Sequence, residues 1–332
     1  MADDQRADRL DAVIDALLAG GDATAALRDA GLAPLARVAA DLRHCPDRDF
    51  TARLRARLQG RTSMTTELAS SPARPAEAGH DVGGVREGFT TVTPYIWVPD
   101  RGLADFLVRV FDAVETSVRD NPGHGIHREL RIGNSMVMIG ETGDQKSALS
   151  RPAAFHVFVA DVDATFARAI AAGGTAIGGA SVGDPADRPY GERSAFVSDA
   201  YGNHWYIATP LGPQSVGHAL RSVTPFLHAP ALEVYLQFLT QAFGAVEEMR
   251  SEEGGVLRYA RVRVGDAALE FGPAPTMPGA FFLYVTDPDA VYQQALAAGA
   301  TSLSAPADRA PGGRIAFVED PIGNHWYIAR PA

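Results

Sequence analysis

The chain is poor in cysteine, in positive charge and in long apolar runs, and each shortage excludes something. A single cysteine, Cys45, rules out an intramolecular disulfide. It lies in a segment of helical pattern and reads as a small packing side chain, since a reactive thiol needs electropositive surroundings. Lys and Arg number 30 against 40 Asp and Glu, a formal net charge of −10. That balance argues against nucleic acid or an anionic membrane as partner, because both require a basic footprint. No stretch approaches the roughly 20 apolar residues that span a bilayer. The start, Met1-Ala-Asp-Asp, is acidic and leads into no unbroken apolar segment, so a signal peptide is not expected and a cytoplasmic location is. What is present is ordinary for a globular protein: 46% apolar and 21% charged residues over 332 positions, room for about two or three domains.

One heptapeptide occurs twice. Gly-Asn-His-Trp-Tyr-Ile-Ala stands at Gly202–Ala208 and again at Gly323–Ala329, after Phe196-Val-Ser-Asp and Phe317-Val-Glu-Asp. Val92-Thr-Pro-Tyr-Ile is matched by Val223-Thr-Pro-Phe-Leu, Arg131-Ile-Gly-Asn by Arg263-Val-Gly-Asp, and Asp161-Val-Asp-Ala by Asp287-Pro-Asp-Ala. The offset between copies drifts, which places small insertions in loops. A repeat of about 120 residues is too long for a solenoid and long enough for its own core, so the duplication implies tandem globular domains.

Residues 1–60 follow another pattern. Leu10, Val13, Ile14, Leu17 and Leu18 form one helical stripe, closed by Gly20-Gly21. Leu32, Leu35, Val38, Ala39 and Leu42 repeat it, and Phe50, Leu54 and Leu58 suggest a third helix capped by Asp49. Three short helices close only a small core, so they are expected to dock within the chain or on a protein partner. Residues 61–86, with Ser70-Ser-Pro-Ala-Arg-Pro, read as a flexible linker before domains at 87–213 and 214–332.

Within the first domain the period alternates between two and 3.6. Val92–Val98 reads as a strand, and Leu103, Phe106, Leu107, Val110 and Phe111 as a helix face. His127–Ile132 and Met136–Ile139 flank the hairpin signal Gly133-Asn134. A strand at Ala154–Ala160, a helix at Ala164–Ala172, and strands near Ser194–Val197 and His204–Ala208 follow. With a weaker strand in each half, the order is strand, helix, three strands, twice per domain. The second domain repeats it, with a strand at Thr224–His228 and a helix at Ala290–Ala298. The fold class is α+β.

This βαβββ order over residues 88–331 resembles the vicinal oxygen chelate superfamily, which includes glyoxalase I, extradiol dioxygenases and the fosfomycin and bleomycin resistance proteins. The motifs Val92-Thr-Pro-Tyr, Glu129-Leu-Arg-Ile-Gly, Asp161-Val-Asp-Ala, Tyr190-Gly-Glu-Arg and Asp199-Ala-Tyr-Gly-Asn-His-Trp are similar to its PhnB-like branch. The resemblance implies two half-sheets closing into a cup, with helices on the convex face. Alternation then sends Trp205 and Ile207 under the helices and His204, Tyr206 and Ala208 into the cup. Thr93, Tyr95 and Trp97 share one face of the first strand, and Ile96 and Val98 the other.

Members with chemistry hold a divalent ion on their first and last strands, and such a site needs at least three ligands. The corresponding positions here are Thr93, Met138, Ala154 and Tyr206 in the first domain, and Thr224, Glu270, Ala280 and Tyr327 in the second. One carboxylate cannot hold a catalytic ion, so no metal and no other cofactor is expected. A shift of register would bring in His156, two residues beyond Ala154, and with His127 and His204 it would offer an alternative cluster. His124-Gly-Ile-His127 has ligand-like spacing, but the second copy has Tyr259 and Phe282 where the first has His127 and His156.

The first cup is therefore expected to be lined by Tyr95, Trp97, Met138, His156, His204 and Tyr206. The second is expected to hold Phe226, His228, Glu270, Phe282, Tyr284, His325 and Tyr327. Aromatic walls with hydrogen-bonding tips suit a flat or amphipathic small molecule. Glu270 either meets a cationic ligand group, lies at a sheet edge, or pairs with Arg261 or Arg314. Arg193 and Arg314 read as rim residues, Arg193 pairing with Glu192 or Asp199. The repeated heptapeptide is mainly structural: Asp199 and Asp320 cap a turn in which Gly202 and Gly323 take positive φ. Three functions remain open. One is a metal-independent small-molecule-binding protein for sequestration or resistance. Another is a metal-dependent or acid/base lyase, isomerase or dioxygenase-like enzyme using His156, His204 and Tyr206. The third is a ligand sensor acting through the N-terminal helices.

Overall fold

The computed structural model describes residues 85–86, 88–121, 125–143, 151–178, 182–212, 217, 220–309 and 313–330. The expected helices of 1–60, Cys45, His124 and most of the linker lie outside the described residues.

Four βαβββ units follow one another. The first is β1 (Val92–Val98), α1 (Gly102–Phe111), β2 (Val114–Asn121), β3 (Gly125–Ile132) and β4 (Ser135–Glu141). The second is β5 (Ala154–Phe158), α2 (Val162–Ala171), the short β6 (Thr175–Ala176) and β7 (Ala186–Arg188), β8 (Glu192–Ser198) and β9 (His204–Pro210). The third comprises β10 (Val223–His228), α3 (Leu232–Phe243), β11 (Val246–Glu253), β12 (Val256–Val264) and β13 (Ala267–Gly272). The fourth comprises β14 (Ala280–Tyr284), α4 (Pro288–Ala297), β15 (Thr301–Arg309), β16 (Gly313–Glu319) and β17 (His325–Arg330). Asp161 and Asp287 cap α2 and α4 by accepting from the amides of Ala164 and Ala290, both at 3.0 Å. None of the helices among the described residues is long and apolar enough to cross a membrane.

The strands form two sheets, and each sheet mixes the two halves of the sequence. The first runs β15-β16-β17-β14-β1-β4-β3-β2, so the opening unit joins the closing one. The second runs β11-β12-β13-β10-β5-β9-β8-β6, joining the two middle units. The seams are antiparallel, with Thr93 opposite Phe282 and Thr224 opposite His156.

The helix layer is organised the other way. Trp205 on β9 stacks on Phe155 of β5 at 5.1 Å and meets Phe111 of α1 at 5.3 Å, all within one half. Trp326 makes the same contacts in the other half, with Phe281 at 5.1 Å and Phe243 at 4.6 Å. Each half is thus tied together beneath its helices, while hydrogen-bonded ladders join one half to the other. The expected alternation of faces holds: Ile96, Val98, Trp205 and Ile207 are buried in the helix-side core, and Tyr95 belongs to a separate cluster on the cup side.

The repeated motif performs the expected turn chemistry. Asp199 accepts from the amides of Tyr201 and Asn203 at 2.8 and 3.0 Å and from the Trp205 indole at 2.9 Å, with Gly202 at φ +83°. Asp320 does the same for Ile322, Asn324 and Trp326, with Gly323 at φ +91°.

The two copies differ where α1 and α3 end. Gly244 terminates α3 in the left-handed region at φ +64°, whereas Asp112 takes φ +55° after α1. A side chain is costly there. Asp112→Gly is therefore expected to raise the unfolding free energy by about 0.5–1 kcal/mol in urea titration. The exposed Asp112–Arg168 pair that it removes offsets little of this gain.

Candidate functional site: two composite cups

Because each sheet mixes units, the cups do not have the expected linings. Tyr95, Trp97 and Met138 share the first sheet with Phe282, Tyr284 and Tyr327, whereas His156, His204 and Tyr206 share the second with Phe226, His228 and Glu270. The duplication was legible, but the exchange of partners between halves leaves no mark in a period-two pattern. His325, expected beside Glu270, lies instead on the first sheet against Phe317. The three histidines do not converge, since His127 faces Tyr95 in the first cup.

The first cup is aromatic. Phe282 stacks on Tyr327 at 5.0 Å, Tyr327 on Phe317 at 4.4 Å, and Tyr95 leans on Phe282, Tyr327 and Trp97 at 5.3, 5.5 and 4.6 Å. The Trp97 ring lies over Gly140, where a Cβ would come within 2.5 Å of it. The polar group of this cup is on β3: His127 reaches the Tyr95 hydroxyl at 3.4 Å and Glu129 at 3.3 Å. Arg86 grips Glu129 with both guanidinium nitrogens at 2.6 Å. Burial would raise the Glu129 carboxyl, but hydrogen bonds from His127 and Arg86 outweigh this and lower it to about 2. Residues 85 and 86 are therefore docked on the cup and are not free linker.

The second cup has a buried charge network. Glu270 and Glu192 are fully buried and His156 nearly so. His156 Nδ1 stands 3.0 Å from Glu270 Oε2, and its Nε2 stands 3.3 Å from Glu192 Oε2. The Tyr259 hydroxyl donates to Glu270 Oε1 at 2.6 Å. Glu270 is thus not at a sheet edge, since β13 lies inside the sheet, and its partners are His156 and Tyr259. Burial by itself would lower His156; the charges of Glu270 and Glu192 and their hydrogen bonds prevail and lift it to about 10. Arg193 and Arg314 take no part. Arg193 bonds Asp163 and Asp187 at 2.6 and 2.9 Å, and Arg314 bonds Asp289 and Asp308 at 2.7 and 3.4 Å.

The other end of this cup carries neutral proton carriers. The Tyr206 hydroxyl lies 2.7 Å from His228 Nε2. The hydrogen bond from His228 to the backbone of Pro275 must go to the carbonyl, because proline has no N–H. With its one N–H given away, the neutral ring accepts a hydrogen bond from the phenol. Burial and the neighbouring His204 hold His228 down, to about 4. Burial also lowers His204, whose buried Nδ1 has no hydrogen-bond partner among the described residues. Phe226 meets Tyr206 edge-on at 5.1 Å, and Phe158 lies 4.3 Å from the His156 ring.

The strand register identifies which residues sit abreast on the cup floors. Tyr95 pairs with Met138, Phe282 with Tyr327, Phe226 with Glu270 and His156 with Tyr206. The first-strand positions are thus two residues beyond Thr93, Ala154, Thr224 and Ala280, the shift that admits His156. The first floor has no metal donor beyond phenols and a thioether. On the second, both nitrogens of His156 are directed at carboxylates on opposite sides of the ring, so the three groups share no point where an ion could sit. Among the described residues no three His, Cys, Asp or Glu side chains form a metal-capable group. This donor set does not match the octahedral divalent site that the resemblance implies.

Sequence comparisons identify the family, and a solved structure shares the fold. The profile of the Glyoxalase/Bleomycin resistance protein/Dioxygenase superfamily matches residues 221–328. The uncharacterized protein Rv0887c of Mycobacterium tuberculosis is 34% identical over 131 residues, covering 36% of this chain and 74% of that protein. CFP32 of Mycobacterium bovis, which carries a provisional glyoxylase name, is 25% identical over 227 residues, covering 64% of this chain and 84% of that protein. Glyoxalase I from Zea mays shares the fold, with a TM-score of 0.54 at 16% identity over 72% of this chain and 92% of the maize chain. The chain belongs to the glyoxalase/bleomycin resistance/dioxygenase superfamily.

Proposed function

We propose that this is a small-molecule-binding protein of the glyoxalase/bleomycin-resistance type, akin to the PhnB-like branch, that takes its ligand in the second cup without a divalent ion. One observation carries the reading: His156, at the place of a metal ligand, has both ring nitrogens engaged by Glu192 and Glu270. Beside it Tyr206, Phe226 and Phe158 are half-buried, an aromatic wall with hydrogen-bonding tips. Protein purified without chelator and dialysed against manganese or zinc is expected to retain no stoichiometric ion by elemental analysis. One equivalent per chain would overturn the reading. Tyr206→Ala is expected to weaken binding of an apolar aromatic probe such as Nile red by about 1–3 kcal/mol with the fold retained. Unchanged affinity would move the pocket away from β9.

A second reading rests on the Tyr206–His228 pair. A phenol hydrogen-bonded to a neutral imidazole, which in turn is fixed by a carbonyl, places a general acid and a general base side by side in the cup. An enzyme of lyase or isomerase type using this pair would lose turnover in His228→Gln while retaining ligand affinity.

A further inference from the structure

The first cup is occupied by its own chain. Ahead of β1, the Phe89 amide donates to the Arg86 carbonyl at 3.0 Å, closing a turn in which Gly88 takes φ +84°. The turn faces the cup. Val85 and Phe89 join the cluster of Tyr95, Met136, Met138 and Tyr284, with Phe89 edge-on to Tyr284 at 6.3 Å. Arg86 extends over the Phe89 ring, 4.4 Å from its centroid, to its paired bonds with Glu129. Glu129 is 2% exposed, so its carboxylate is a buried charge whose compensation comes from this strap and from His127. In the second copy Gly217 stands as far ahead of β10 as Arg86 stands ahead of β1, and Arg261 stands where Glu129 does. The latch therefore belongs to the first cup.

We propose that the first cup is a binding site for a planar aromatic cation, held closed by a strap whose Phe89 and Arg86 occupy the places of the ligand's ring and charge. A ring displacing Phe89 meets Tyr284, Tyr95 and Phe282, and a cationic group displacing Arg86 meets Glu129. A neutral aromatic compound would fill the apolar part but leave the carboxylate short of a counter-charge, and an anion would be repelled by it. Binding requires the strap to leave, so the apparent affinity of the intact protein is reduced by the small fraction of open molecules. Occupancy then frees the chain ahead of β1. This inference stands apart from the reading of the second cup, and its readouts lie in the first.

Trp97 supplies the signal, because Trp205 and Trp326 are sealed beneath the helices. The full chain is titrated with proflavine, a planar aromatic cation, and with anilinonaphthalene sulfonate, an aromatic anion, following quenching of tryptophan emission. Arg86→Ala is expected to bind proflavine about tenfold tighter than the unaltered protein, by raising the open fraction. Glu129→Gln in the same background is expected to abolish that gain, and the anion is expected to gain nothing. In the unaltered protein, proflavine is expected to accelerate tryptic cleavage after Arg86, a readout that needs no substitution. Equal or weaker proflavine binding by Arg86→Ala, an equal gain for the anion, or cleavage indifferent to proflavine would overturn the proposal.

Discussion

Trp205→Ala is expected to lower the unfolding free energy by about 3–5 kcal/mol, the range for truncating a large aromatic side chain in a close-packed core. The indole is 0% exposed and lies among Phe155, Phe111 and Phe106, at 5.1, 5.3 and 6.4 Å. It also joins two units of one half, since Phe106 and Phe111 belong to α1 while Phe155 belongs to β5, so the cavity would open at the seam between them. The N–H adds a second loss, because it donates to the buried Asp199 at 2.9 Å. Trp205→Phe separates the two effects: it keeps most of the volume and removes the donor, at an expected cost of about 1–3 kcal/mol. Urea unfolding followed by circular dichroism measures both. A loss below about 1 kcal/mol for the alanine variant would show that this face of β9 is not core.

The position of Trp205 was legible because it depends on local facts. A strand alternates its faces with period two, so placing Ile207 under helices places Trp205 there too, and the duplicate at Trp326 repeats the constraint. Helix starts were readable only to within a turn: the expected starts at Ala164 and Ala290 fall two residues inside α2 and α4, which Asp161 and Asp287 cap. Seam partners were not. That β1 pairs with β14 and β5 with β10 depends on which exposed edges meet after each unit has formed, and every unit offers an edge of the same pattern. The cup linings were divided wrongly on that account.

The charge network was half legible. Glu192, Ser194 and Phe196 alternate with Arg193, Ala195 and Val197 along β8, and Ala195 and Val197 lie in the helix-side core. Glu192 therefore had to face the cup, where the outward Arg193 could not reach it, and Arg193 pairs with Asp163 and Asp187 instead. The same alternation in β13 sends Leu269 and Phe271 to the helices and Glu270 to the cup. The convergence of both acids on His156 could not be read, because β5 brings it between β10 and β9 across the exchanged seam.

His156→Ala is expected to cost about 3–5 kcal/mol, comparable to Trp205→Ala but for an electrostatic reason. Removing the imidazolium leaves Glu192 and Glu270, both 0% exposed, without the positive charge between them. Tyr259 still donates to Glu270, but one hydrogen bond does not replace a charge. His156→Gln tests this more cleanly, since it keeps most of the volume and a donor to one of the two carboxylates and removes the ability to carry a proton. The pH dependence follows from a folded-state value of about 10 against the ordinary value of 6.5. A group raised on folding contributes its full stability below about pH 6.5, where it is protonated in both states, and loses it as pH rises through about 10. The wild-type protein is therefore expected to lose stability steadily between those limits, by several kcal/mol in total, and His156→Gln is expected to lack that slope. Urea midpoints measured at intervals from pH 6 to pH 10 give both curves. Parallel curves would mean that His156 is neutral in the folded protein, and the account of the second cup as an imidazolium clamped by two acids would be lost.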